Sequence, residues 1–126
     1  MFNFDPMFAT IKIAGLYIMA IFFTYAGISH FTKERFFMKS VPPYIPFPKE
    51  MVLISGVAEI IFGIGLLFPL TRAYAAWGII LLLIAVFPAN LYMATSGKFT
   101  AIPQILLWIR LPLQLVLIWW AYQYTK

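Results

Sequence analysis

Four stretches of about 20 residues, Met7 to His30, Met51 to Leu70, Arg72 to Ala94 and Ile102 to Tyr124, are apolar almost all the way round a helix. A spanning helix needs about 20 mostly apolar residues to cross roughly 30 Å of hydrocarbon. A chain of 126 residues has room for four of these, three short loops and little else. With 63% hydrophobic and 10% charged residues, the composition is foreign to a soluble domain. Barrel strands, the other way to cross a bilayer, alternate apolar and polar residues in short segments, and these runs do not alternate. The expected fold class is therefore all-α membrane. It is a single domain over residues 1–126, a four-transmembrane-helix bundle with helices at about 7–30, 51–70, 72–94 and 102–124.

Between the first and second helices lies a proline-rich interfacial loop. It opens with Phe31 to Lys39, where aromatic and basic residues interleave as in a short helix lying in the interface plane. It continues through Val41-Pro42-Pro43-Tyr44-Ile45-Pro46-Phe47-Pro48, whose four prolines favour an extended path across the end of the bundle. Ser96-Gly97 is expected to close the third helix with a left-handed cap. Trp119, Trp120, Tyr122 and Tyr124 are expected to form an aromatic belt at the far interface. The N-terminus, Met1 to Pro6, has one aspartate and no Lys or Arg, and reads as a retained first helix rather than a signal peptide.

Cysteine is absent, which excludes disulfides, thiolate metal sites and a thiol relay. The net charge of +5 is scattered over helix ends rather than clustered, so the expected counterpart is the lipid bilayer and no nucleic acid. Lys33, Arg35, Lys39, Lys49 and Lys98 fall on one side against Lys12, Arg72 and Lys126 on the other. That asymmetry favours the first side as cytoplasmic.

An ionisable group inside a spanning segment needs a partner and is a functional candidate by default. Glu59 stands about 12 Å and Arg110 about 10 Å from helix ends on the same side, which makes them level. Asn90 lies at a similar depth on the third helix, and His30 closes the first at the mouth. Gly56, Glu59 and Gly63 share a face on which the missing side chains admit a close neighbour. Pro88 and Pro112 are expected to disturb their helices beside Asn90 and Arg110, freeing the Ile84 and Trp108 carbonyls. His30, Glu59, Asn90 and Arg110 are thus candidates for ligand binding or proton relay, with Ser55, Gln114 and Tyr44 in support. The bland alternative is a buried Glu59–Arg110 clamp that fixes helix order. With one histidine and no cysteine, no metal site is expected.

Gly27-Ile28-Ser29-His30-Phe31, Val41-Pro42 through Pro46-Phe47-Pro48, Ser55-Gly56-Val57-Ala58-Glu59-Ile60, Gly63-Ile64-Gly65-Leu66-Leu67 and Pro88-Ala89-Asn90 together resemble the DoxX family of small four-helix membrane proteins. The resemblance covers nearly the whole chain and carries over His30, Glu59 and Asn90 by motif; Arg110 is added from depth. It implies association with quinone-linked sulfur oxidation or oxidative-stress complexes, while distant relatives look like assembly factors. Lack of cysteine separates this chain from thiol-using relatives. The expected function is a membrane subunit or accessory protein of a redox system, holding a quinone-like or other small amphipathic ligand in the bundle. The expected location is the bacterial inner (cytoplasmic) membrane, as a multi-pass protein beside a membrane or membrane-associated partner, with homo-oligomerisation left open. The alternative is a non-enzymatic assembly or chaperone factor with a structural Glu–Arg clamp.

Overall fold

A computed structural model describes residues 5–126, which form five helices: α1 (Asp5–Thr32), α2 (Glu34–Ser40), α3 (Pro48–Gly65), α4 (Arg72–Thr95) and α5 (Gln104–Tyr122). The reading of Met1 to Pro6 as a retained N-terminus falls mainly on residues 1–4, outside the described residues. The expected four-helix bundle is corrected in two respects. The aromatic and basic segment after α1 is a helix in its own right, set off by Lys33, whose φ of −123° leaves the helical region. Three helices, α1 from Pro6, α4 and α5, are long and apolar enough to cross a membrane. α3 is not among them, because its 18 residues include Lys49, Glu50 and Glu59.

α3 starts on Pro48, whose fixed φ suits a first helical turn. The preceding Phe47 sits in the left-handed region at φ 55°. α3 stops at Gly65, five residues short of the expected Leu70. Two side chains from the following turn then take carbonyls left over at the helix end: Thr71 Oγ1 donates to Gly65 O at 2.7 Å and Arg72 Nε to Leu66 O at 2.8 Å. α4 and α5 run continuously through Pro88 and Pro112, so neither helix is broken there. Gly97, at φ 74°, follows α4 as the left-handed residue expected after it. The proline-rich loop turns instead of running extended, with Ile45 N donating to Pro42 O at 3.0 Å.

α1 packs lengthwise on α3, α3 on α4, and α4 on α5. The α1–α3 contact is at backbone distance: a Cβ at Gly27 would lie 2.6 Å from Gly56 O, and one at Gly56 would lie 2.7 Å from His30 Cβ. Small residues allow this approach, which dispersion then rewards. Buried apolar side chains form two clusters. One, near the chain ends, joins Met19 and Phe23 of α1 to Ile79 of α4 and Ala121 of α5. The other joins Met93 and Ala94 to Phe99 and Leu107 at the α2 end. Trp119 and Tyr122 are exposed as a belt requires, but Tyr124 is only 4% exposed and turns inward. Its hydroxyl donates to Lys12 O at 2.8 Å and accepts from Trp120 Nε1 at 3.1 Å, tying the chain's end to α1.

Candidate functional site: a polar-walled cavity between the helix pairs

A cavity of about 650 Å³ is lined by α1 and α3 on one side, α4 and α5 on the other, and by α2 with Val41, Pro42 and Ile45 at its end. Its lining is mainly apolar, and its size is that of a small-molecule site. The residues that line it, Phe22 to His30 on α1 and Leu82 to Met93 on α4, include Phe23 and Leu83 of the first buried cluster and Met93 of the second.

The first polar wall is built on the glycine contact. Gly27 and Gly56 bring α1 against α3, and the next turn of each carries the polar group: His30 three residues after Gly27, Glu59 three after Gly56. His30 Nε2 stands 3.5 Å from Glu59 Oε1, close enough for an ion pair and long for a hydrogen bond. His30 Nδ1 lies 2.9 Å from Val52 O, and since a carbonyl only accepts, Nδ1 carries the proton of that bond. Ser55 Oγ donates to the same carbonyl at 3.0 Å and stands 3.2 Å from Nδ1. The Phe37 ring of α2 covers the imidazole, 4.1 Å between centroids. Glu59 is 8% exposed, and its Oε2 is the one buried side-chain oxygen or nitrogen without a hydrogen-bond partner among the described residues.

The second wall is an amide relay between α4 and α5. Arg110 Nη2 donates to Asn90 Oδ1 at 3.4 Å, Asn90 Nδ2 to Gln114 Oε1 at 2.6 Å, and Gln114 Nε2 to Leu83 O. Arg110 and Gln114, four apart on α5, share the face turned to Asn90. Among the described residues no carboxylate lies within ion-pair distance of Arg110.

The cavity thus gathers His30, Ser55, Glu59, Asn90, Arg110 and Gln114, while Tyr44, 76% exposed on the loop, is not part of it. The alternative Glu59–Arg110 clamp is not made: Glu59 pairs with His30, and Arg110 with Asn90. Both residues line the one cavity, but counting depth along a helix does not say which way each side chain points. His30 stands in the last turn of α1, as expected, and it is buried there as the direct partner of Glu59. The matched Gly-x-x-His and Gly-x-x-Glu spacings were the signal for that pair. Nothing in the sequence pointed to the Val52 and Leu83 carbonyls, or to Phe37 over the imidazole. Among the described residues no group of side chains is arranged to hold a metal ion.

Three apolar helices of spanning length around such a cavity define a multi-pass integral membrane protein. Residues 19–125 match the family described as a domain of unknown function, DUF8561, and the chain belongs to that family. No curated protein and no solved structure matches it.

Proposed function

We propose that this protein is a membrane subunit or accessory protein of a redox system, in the bacterial inner membrane, that holds a quinone-like amphipathic molecule in its cavity. The observation that carries this reading is Glu59 Oε2, buried and unpartnered on one wall, in a cavity whose other wall presents Arg110 without a counter-charge. Leaving a buried acceptor unsatisfied costs about 1–3 kcal/mol, which a bound head group would recover. The apolar remainder of the lining suits a ring and an alkyl tail. The resemblance to DoxX proteins points toward redox partners and adds no geometry of its own.

In this reading Arg110 fixes an acceptor oxygen of the ligand, and Asn90 and Gln114 fix Arg110. Glu59 and His30 accept or relay a proton. α2 and the Val41 to Ile45 turn cover the end of the cavity. The test is equilibrium binding of 2-decyl-1,4-benzoquinone, in both its oxidised and its reduced form, to the protein in lipid nanodiscs. At least one form should bind saturably, and Arg110→Leu should weaken that binding by about tenfold or more, the scale of one charged hydrogen bond. Absence of binding by either form, with one membrane protein co-purifying instead, would favour the assembly-factor alternative.

A further inference from the structure

The hydrogen-bond partners of the two walls restrict the ligand further, on the footing of the function proposed above. Val52 O can only accept, so the Nδ1 proton of His30 is committed to it and Nε2 faces Glu59 Oε1. One proton between Nε2 and Oε1 satisfies both atoms, whether it rests on the imidazole or on the acid. In either arrangement Oε2 is left as a bare acceptor. Moving that proton to Oε2 would leave the lone pairs of Nε2 and Oε1 facing each other, with no proton between them.

Across the cavity the situation is the opposite. Arg110 is a donor only. The amide oxygens of Asn90 and Gln114 each accept one hydrogen bond already, from Arg110 and Asn90 respectively, so neither is left bare. The atom most in need of a partner is therefore the acceptor Oε2 of Glu59, and opposite it Arg110 offers donors; a head group that serves both has an O–H at one end and an acceptor oxygen at the other. A 1,4-hydroquinone fits, because each of its hydroxyls can give or receive. A 1,4-dione carries acceptors alone and would set a carbonyl oxygen against Oε2.

We propose that the cavity selects the hydroxyl-bearing, reduced form of its ligand over the oxidised dione, with Glu59 Oε2 receiving the hydroxyl and Arg110 holding the opposite oxygen. A site built to bond a hydroxyl discriminates strongly against the analogue that lacks it. Glu59→Gln should keep the preference, because the side-chain amide can donate to His30 Nε2 and leave its carbonyl oxygen toward the cavity. Glu59→Leu removes the acceptor and should abolish the preference.

The experiment compares three probes on the nanodisc-embedded protein under anaerobic conditions: 2-decyl-1,4-hydroquinone, 2-decyl-1,4-benzoquinone and the dimethyl ether of the hydroquinone. The hydroquinone should bind wild type and Glu59→Gln at least about tenfold more tightly than the other two, and the three should converge in Glu59→Leu. Equal or tighter binding of the quinone or the ether to wild type would overturn the preference while leaving the cavity a quinone site. A preference that survives in Glu59→Leu would overturn the role of Oε2. Binding of none of the three would remove both this inference and the function beneath it.

Discussion

At the α1–α3 contact the limiting dimension is one methyl group. A Cβ at Gly56 would meet His30 Cβ at 2.7 Å and Gly27 O at 3.0 Å, and neither atom is at the free end of a flexible side chain. Gly56→Ala should therefore destabilise the protein by about 1–3 kcal/mol, the usual cost of overpacking, seen as a lower midpoint of thermal unfolding in detergent. Gln114→Leu should cost about 1 kcal/mol in the same assay, since it leaves Asn90 Nδ2 without its acceptor. Tyr44→Ala, on the exposed loop, should move neither stability nor ligand binding. Residue identities were the most legible part of the site: a carboxylate, a guanidinium and an amide in apolar helices are conspicuous by cost alone. Their partners were less so. Depth follows from counting 1.5 Å per residue, but pairing depends on how each helix is rotated about its axis, and here the glycines decide that rotation.

Among the elements, α3 is the one whose boundaries moved most, and both ends are set by neighbours. Its start is held by Phe47 in a left-handed backbone conformation that an L side chain adopts at a cost of about 1 kcal/mol or more. Phe47→Gly should be neutral or stabilising, whereas Phe47→Val, with a β-branched side chain, should lower the unfolding midpoint. Sequence alone extended the helix to Pro69, because apolar residues continue to Leu70. Thr71 and Arg72 take the Gly65 and Leu66 carbonyls where it ends, side-chain bonds six residues apart that no periodicity reports. α4 shows the converse. Its expected and observed limits agree within a residue, with the left-handed Gly97 just past its end. α2 was legible as a short helix but not as the cover of His30, which needs the Phe37 ring to turn inward.

For the whole molecule, the lack of native cysteine makes sidedness directly measurable. Phe36 of α2 packs edge-on against Phe99, 5.7 Å between centroids, so the segments bearing Lys33 and Lys98 lie at one end of the bundle. Tyr124 meets Lys12 at the other. A membrane-impermeant maleimide should therefore label Lys33→Cys and Lys98→Cys from the same face of sealed vesicles, and Lys126→Cys only from the opposite face. Labelling of Lys33→Cys and Lys98→Cys from different faces would contradict the arrangement. The membrane class follows from composition, but the cavity could not be read there, because its walls come from four helices and include members of both buried clusters.

The polar walls also divide along the chain: His30, Ser55 and Glu59 precede the turn at Leu70, while Asn90, Arg110 and Gln114 follow it. Each half satisfies most of its polar atoms internally, through the imidazole and Val52 in one and the amide relay in the other. The first half can thus enter the bilayer during synthesis with its carboxylate already accompanied, before the arginine has left the ribosome. The cavity is a seam between two separately tolerable pieces, and it comes into being only when the second piece closes on the first.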